Sequence, residues 1–306
     1  MRWSAAEGPD TSQDLRIVPD TLLSYGWAGL ALCLWIALCV GSFLNVVIYR
    51  LPVMLNRQWQ SDARAFLEQP AEPEPAETFN LATPRSRCPA CNTQIRAWQN
   101  IPVISWLALK GRCGSCQTPI SARYPAIELL TGILTLAVLS VFGLTWLGLA
   151  TALYTWVLIA ATFIDYDTQL LPDQLTLPLL WLGIIVNMSD GFGAGAIVDL
   201  DSALVGAMAG YLFLWSTYWG FELITGKEGM GYGDFKLLGA IGAWLGWQIL
   251  PGAILIAAIS GLAYAAFTFV RGQRQSAQPI PFGPFLAVAG WVCLLNRDTV
   301  VTFFAA

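Results

Sequence analysis

The sequence predicts an all-α polytopic membrane protein with about eight transmembrane helices and one small soluble insert. Three observations lead to this prediction. Hydrophobic residues make up 56% of the 306 residues and charged residues only 12%, whereas soluble domains carry about 25% charged residues. Apolar runs of about 15–25 residues recur along the chain, which is the length needed to cross a bilayer. The longest polar stretch between two such runs contains four of the cysteines.

The apolar runs define the predicted helices. The polar, acidic N-terminus lacks the basic-then-apolar order of a cleavable signal peptide, so the first run is expected to remain as an anchor. A run of apolar residues that is too long for one helix is divided at "GLTW". The eight predicted spans are 22–48, 126–143, 146–164, 174–188, 202–223, 235–250, 252–270 and 280–296.

The distribution of basic residues predicts the orientation. Lys and Arg are concentrated between spans one and two, and they recur between spans five and six and between spans seven and eight. Because cytoplasmic loops carry an excess of Lys and Arg, these loops are predicted to face the cytoplasm. The predicted organisation is an outward-facing tail (1–21), a first transmembrane helix (22–48), a cytoplasmic insert (51–122), a seven-helix membrane domain (126–296) and a C-terminal tail (297–306).

The composition excludes several kinds of chemistry. The chain has no histidine, which excludes Ser-His-Asp and Cys-His catalysis, zinc hydrolases with histidine ligands and haem held by histidine. Hydrolysis would have to use carboxylates, Lys, Tyr, Ser or Cys. The formal net charge of −4 points to no nucleic-acid partner.

The insert contains two C-x2-C pairs, Cys88 with Cys91 in "CPAC" and Cys113 with Cys116 in "CGSC". Four thiolates at this spacing can complete a tetrahedral shell around Zn²⁺. In a reducing cytoplasm metal binding is favoured over disulfides, and the alternatives are redox pairs or an iron–sulfur cluster. A shell closed by four sulfurs leaves no position for water, so the predicted zinc site is structural.

Two carboxylates at the predicted cytoplasmic face are the candidate catalytic groups. Asp165 follows the apolar "LIAATFI", and Asp234 ends "GMGYGD". Acids in membrane helices are functional hypotheses by default, although Asp165 could be an interfacial charge and Asp234 a helix cap. Gly231 and Gly233 before the acid remove side chains from one strip of backbone, so they are predicted to let an extended polypeptide approach.

A pair of close carboxylates can hydrolyse a peptide bond without histidine or a metal. Two such groups share a proton, because both cannot ionise easily. The ionised acid can take a proton from water while the other donates a hydrogen bond to the scissile carbonyl. This chemistry suits the composition.

Taken together, these motifs resemble those of a known family. The "GMGYGD" stretch is similar to the glycine-x-glycine-Asp motif of intramembrane aspartic proteases. With "FIDYDTQLLPD", the four-cysteine cluster, "GSFLNVVIYRLP" and "IPFGPFLAVAGW", the chain resembles the bacterial type 4 prepilin peptidases along nearly its full length.

The resemblance implies a bifunctional enzyme of the bacterial inner membrane, with its active site and zinc insert facing the cytoplasm. Such an enzyme removes the basic leader of type IV prepilins or type II secretion pseudopilins and then methylates the new N-terminal amine with S-adenosylmethionine. The catalytic aspartates of the family correspond to Asp165 and Asp234, and 126–296 becomes a peptidase domain. No glycine-rich nucleotide loop places the methyl donor, for which Asn45 and Arg50 are weak candidates.

Three further residues receive structural interpretations from the sequence. Asp173 follows Pro172 at the start of a span and is interpreted as a helix N-cap. Glu128, about one turn inside span two, requires a partner, for which Arg123 is the candidate. Lys236 is interpreted as reaching out to the membrane interface.

Two other functions compete with proteolysis. A transporter could use intramembrane acids to carry protons or cations, but the acids gather at one face and no inverted repeat is evident. A zinc scaffold in a secretion machine would leave the glycine-rich approach to Asp234 unexplained.

Overall fold

The computed structural model describes residues 26–70, 78–193, 195–227, 229–272 and 280–305. The predicted tail 1–21 lies outside these ranges. The described residues form α-helices and short 3-10 turns, with no β-strand. The helices are α1 (Gly26–Phe66), α2 (Ile104–Ala108), α3 (Arg123–Phe142), α4 (Trp146–Thr168), α5 (Asp173–Met188), α6 (Leu200–Thr225), α7 (Tyr232–Leu245), α8 (Leu250–Val270), α9 (Gly283–Leu295) and α10 (Arg297–Ala305).

Within the described residues each of the eight apolar runs is largely helical, which confirms the all-α class, but eight membrane crossings are not confirmed. Four helices, α1, α3, α4 and α8 with its preceding turn, are long and apolar enough to cross a membrane. A fifth span results if α9 and α10, bent by 98° at their junction, are counted together. The 14 residues of α7 rise only about 21 Å, which is short of the roughly 30 Å hydrocarbon core.

The first helix does not end where its apolar run ends. It continues through Pro52 to Phe66. The proline removes one backbone donor, but the residues that follow include good helix formers such as Gln, Arg and Ala. The beginning of the predicted insert at residue 51 therefore lies inside α1.

The short helix α7 is the centre of the larger of two apolar cores. Its residues from Leu237 to Leu245 are all buried. A side chain at Gly206 of α6 would collide with the backbone of Gly242, and one at Gly210 would collide with the backbone of Leu238. Small residues let helices in membrane proteins approach this closely.

Polar contacts fix the C-terminal end of α7. The side-chain amide of Asn187, on α5, donates hydrogen bonds to the carbonyls of Ala243 and Trp244. The Arg297 Nε donates to the carbonyl of Leu245. These carbonyls have no partner within α7 itself, so the neighbouring helices complete its end.

The smaller core joins α1, α3 and α4. A Cβ at Gly41 of α1 would lie 2.7 Å from the Cα of Glu128 on α3, so the two helices cross in close contact. The side chain of Trp156 on α4 donates to Thr135 on α3 at 2.9 Å. This core supports the insert on one side and the end of α4 on the other.

Candidate active site

Asp165 lies in the last turn of α4 and is only 5% exposed. Its Oδ2 accepts a hydrogen bond of 3.0 Å from the backbone N–H of Gly283. Gly283 is the first residue of α9, and the N-terminal end of a helix favours negative charge. The last core helix thus supplies a donor to an acid 118 positions earlier in the chain.

Gly283 must be a glycine for this contact. A Cβ at this position would lie 2.7 Å from Asp165 Oδ2 and 2.9 Å from Leu171 Cδ1. Sequence reasoning noted "IPFGPF" as part of the family resemblance but gave Gly283 no role. One feature of the sequence could have pointed to Gly283. It precedes a proline at the start of an apolar run, and proline is common at the first position of a helix.

Asp234 lies in the first turn of α7 and is also 5% exposed. Its backbone N–H donates to the carbonyl of Gly231 at 3.2 Å. Its Oδ1 is buried without a hydrogen-bond partner among the described residues. Such an atom is costly unless it serves another purpose. The residue that caps α7 is Gly231, not Asp234.

The fold brings the two acids into one neighbourhood. Their carboxyl groups are close enough for the charge of Asp165 to act on Asp234. Leu171, in the loop between α4 and α5, packs against both Gly283 and Gly233. This single side chain therefore lies between the backbone that binds Asp165 and the backbone that precedes Asp234.

The glycines before Asp234 have different surroundings. Gly229 lies against the ring of Phe221, and Gly233 lies against Leu171. At Gly231 an added Cβ would meet only Asp234 Oδ2, at 3.7 Å. None of the three adopts a positive φ, so close approach, rather than an unusual backbone conformation, explains Gly229 and Gly233. Gly231 is the one with open space beside the carboxylate.

An ion pair joins the helices that begin near the acids. Lys236 Nζ lies 2.5 Å from Asp173 Oδ1, between the first turns of α7 and α5. The interpretation of Asp173 as an N-cap is wrong, because Pro172 caps α5 and Asp173 forms this pair. Lys236 likewise reaches a carboxylate instead of only the membrane interface.

A second ion pair lies at the end of α4. The Arg123 guanidinium forms two hydrogen bonds to the carboxylate of Asp167, and both side chains are over 30% exposed. Glu128 is not the partner of Arg123. Its Oε2 accepts the N–H of Val103 at 2.7 Å, so Glu128 binds the insert to α3.

The four cysteines form two similar knuckles. In the first, the Cys88 N–H donates to the Thr93 carbonyl, and the Asn92 N–H donates to the Cys88 carbonyl. The second knuckle repeats both bonds at Cys113 and Gln117. Asn92 and Gln117 both have positive φ, 53° and 60°. Two equivalent tight turns therefore present two thiols each.

The sulfur atoms of Cys88, Cys91, Cys113 and Cys116 all lie within 4.8 Å of one another. The Cys88 and Cys116 sulfurs are 3.7 Å apart. Tetrahedral zinc with Zn–S bonds of about 2.3 Å requires sulfurs about 3.8 Å apart. The four-cysteine cluster can thus hold a zinc ion.

The thiol chemistry agrees with this geometry. The side-chain hydroxyl and backbone of Thr118 lower the pKa of Cys116 to about 6. Hydrogen bonds from Thr93 lower the pKa of Cys91 in the same way. Metals bind the thiolate, which these contacts favour at Cys91 and Cys116.

Asn45 and Arg50 have backbone partners. The Asn45 amide donates to the carbonyls of Gly41 and Tyr124, each at 3.2 Å. Arg50 is buried, and its guanidinium donates to the carbonyls of Asn80 and Pro84 at 2.8 and 2.6 Å. Arg50 therefore fastens the insert to α1, and Asn45 joins α1 to the start of α3.

Two family models match this chain, one over the part that contains the insert and one over the part that contains the two acids. Residues 35–142 match the family described as "Bacterial Peptidase A24 N-terminal domain", and residues 152–266 match the "Type IV leader peptidase family". The first match contains the cysteine cluster, and the second contains both acids. No solved structure matches the chain significantly.

Curated relatives are similar over almost their whole length. A protein of Stutzerimonas stutzeri named prepilin leader peptidase/N-methyltransferase is 53% identical, over 94% of this chain and 98% of its own. Proteins of the same name are 52% identical in Aeromonas hydrophila, over 91% and 94%, and 50% identical in Pseudomonas aeruginosa, over 92% and 95%.

Proposed function

Because this chain belongs to the type IV leader peptidase family, we propose that Asp165 and Asp234 are the catalytic acids of a prepilin leader peptidase. The observation that supports this most is their environment. Two acids from distant helices, each 5% exposed, lie within electrostatic range. Neither acid has an ionic partner among the described residues, whereas Asp167 and Asp173 do.

The proposed reaction uses one proton shared between the two acids. The ionised carboxyl removes a proton from water, and the resulting hydroxide attacks the scissile carbonyl while the other carboxyl donates a hydrogen bond to it. The carboxyl that took the proton from water then passes it to the leaving amine as the C–N bond breaks. The Gly283 N–H favours the charged form of Asp165, and Gly231 leaves room for the substrate backbone beside Asp234.

The proposed substrates are type IV prepilins or type II pseudopilins, which carry a short basic leader before an apolar segment. The enzyme would lie in the bacterial inner membrane with lipid around its helices. The basic loops support a cytoplasmic position for the active site and the insert. The family relation and the paired acids both favour proteolysis over the transporter and scaffold hypotheses.

Methylation of the new N-terminal amine is the second activity that we propose. S-adenosylmethionine supplies an activated methyl group, which the neutral amine takes up as the sulfonium becomes a thioether. The four-cysteine cluster is proposed to hold a structural zinc ion that keeps the insert folded. The relatives' printed name supports both activities within one chain.

A cleavage assay tests the proteolytic assignment. The purified protein would be given a synthetic peptide with a basic leader that ends in glycine before phenylalanine, and products would be followed by mass spectrometry. Asp165→Asn and Asp234→Asn should each lower kcat/KM by about 10²–10⁴-fold or more, the usual range for an acid–base group.

Asp167→Asn is the matched control, since it removes a carboxyl two residues from Asp165 that is one-third exposed. It should retain most of the activity. Wild-type rates in a folded Asp165→Asn or Asp234→Asn variant would refute the assignment. Adding S-adenosylmethionine should then shift the product mass by one methyl group.

A further inference from the structure

The insert carries an apolar segment that the mechanism does not use. Residues 101–109 read "IPVISWLAL", although polar residues dominate the rest of the insert. Trp98, Ile104 and Leu107 are 52%, 57% and 61% exposed. We call these three residues the apolar patch. Large apolar side chains exposed together on a protein surface mark an interaction site.

The insert itself holds the apolar patch in place. The Ser105 hydroxyl donates to the carbonyl of Trp98, which joins α2 to the turn before it. The indole N–H of Trp106 donates to the Ile120 carbonyl, and its ring packs on Gly111. The patch is therefore a fixed feature of the folded insert.

The contact between Val103 and Glu128 places the apolar patch beside the start of α3. Val103, which directly precedes Ile104, is bound to Glu128 in the second turn of α3. Five residues separate Arg123 from Glu128, about 7.5 Å along the helix axis, and side chains of a helix tilt back toward its N-terminus. Val103 thus lies beside the first two turns of a candidate membrane span.

The neighbouring surface of α3 is already apolar. Tyr124, Leu129 and Ile133 are 49%, 45% and 61% exposed along this helix, as expected for side chains that face lipid. Because Val103 is bound to Glu128 of the same helix, the apolar patch lies near this apolar surface, at the end where α3 meets the insert. This position beside a candidate membrane span favours lipid as the neighbour of the patch.

Charge supports the same partner. Arg96 and Lys110 flank the apolar segment and are both exposed. Basic residues beside an apolar surface attract anionic phospholipid headgroups, while tryptophan is enriched at membrane interfaces. An apolar patch with basic residues at both sides fits the headgroup boundary of a bilayer better than free solvent.

We propose that the insert is a peripheral membrane contact, in which Trp98, Ile104 and Leu107 enter the headgroup region of the leaflet at the start of α3, and Arg96 and Lys110 bind anionic phospholipid. The four-cysteine cluster is thereby held at the membrane surface. This inference goes beyond the proposed catalysis and does not depend on it.

Photocrosslinking from the full-length protein tests the contact. A benzophenone amino acid would replace Ile104 or Leu107 in protein reconstituted into vesicles of phosphatidylethanolamine and phosphatidylglycerol with a fluorescent phosphatidylglycerol tracer. Ile133 provides the positive control, and Gln94, an exposed polar residue of the first knuckle, provides the negative one. Lipid adducts at 104 and 107 should approach those at 133 and exceed those at 94 several-fold.

Adduct levels at 104 and 107 that equal those at 94 would overturn the proposal. So would a prepilin-like peptide that replaces the lipid adduct with a peptide adduct, because the patch would then bind substrate. Replacing Arg96 and Lys110 with Glu should reduce the adduct at 104 several-fold but leave the adduct at 133 unchanged. An unchanged adduct at 104 would overturn the charge component.

Discussion

The core around α7 and the four-cysteine insert are stabilised in different ways. Around α7, buried apolar side chains and glycine contacts fix the helices, and Asp234 occupies the first turn of the most buried helix. The insert has few buried apolar residues, and two knuckles bring its four thiols together. The comparison teaches that packing positions the acids, whereas the sulfur ligands and two polar side chains, Arg50 of α1 and Glu128 of α3, position the insert.

The largest effect is expected where packing touches an acid directly. Gly283→Ala adds a Cβ 2.7 Å from Asp165 Oδ2 and close to Leu171. The displacement should lower kcat by about 10²-fold, as misplacement of about 1 Å in an active site can. The measurement is peptide cleavage by the folded variant.

Gly220→Ala is the control for this variant, because a Cβ there would meet no other atom within 4 Å. It should cleave at the wild-type rate. Equal activity of the two variants would mean that packing at α9 does not position Asp165.

The insert should respond to loss of metal rather than to loss of packing. Cys88→Ser or Cys116→Ser removes one of four ligands, so bound zinc, measured by elemental analysis, should be lost. The insert should then become sensitive to limited proteolysis, because metal binding and folding are coupled in such sites. Cleavage of the leader should fall less than in Gly283→Ala.

Cys39→Ser provides the matched control, since Cys39 lies on α1 outside the cluster. Its zinc content should equal that of the wild type. Full metal content in the Cys88 and Cys116 variants would contradict the zinc assignment. The insert would then have to be stabilised by packing, as the core is.

The contact between the two regions should have a moderate effect. Glu128→Ala leaves the half-buried Val103 N–H without its acceptor, which should cost up to the roughly 1–3 kcal/mol of an unsatisfied buried group. Thermal unfolding in detergent should show this loss, and proteolysis of the insert should increase. Glu128→Gln keeps an acceptor and should recover most of the stability; if both variants match the wild type, the contact does not couple the regions.

The smallest effect is expected at the ion pair of Lys236 with Asp173. Its side chains are 26% and 51% exposed, and exposed pairs contribute about 0–1 kcal/mol. Lys236→Met should lower the free energy of unfolding within that range. The double variant Asp173→Lys with Lys236→Asp restores the ion pair with the charges exchanged. If Lys236→Met loses more than about 1 kcal/mol and the double variant does not, the ion pair holds α7 in place as packing does.

The sequence predicted the helices and the neighbourhood of the acids for physical reasons. Apolar runs of membrane length form helices because backbone polar groups must be satisfied within the segment. Sequence reasoning missed contacts between distant residues. These contacts depend on which helices pack together, and local sequence patterns do not indicate that. They are Arg123 with Asp167, Glu128 with Val103, and Asp165 with Gly283.

The predicted count of eight spans is not confirmed for a related reason. Hydropathy reports how apolar a segment is and does not report what surrounds it. The residues of α7 are apolar because other helices cover them, so a short buried helix resembles a membrane span in sequence. The extension of α1 past Pro52 was missed for the opposite reason, since its second half is polar and helical.

The bond from Gly283 to Asp165 has a consequence for biosynthesis. A ribosome that has just added Asp165 must add 118 more residues before the donor exists. On the proposed mechanism, a nascent chain stalled or truncated before α9 would have both acids and yet an incomplete site. Proteolytic competence would then arise only when the last core helix has inserted, which keeps unfinished chains from cutting their neighbours in the translocation machinery.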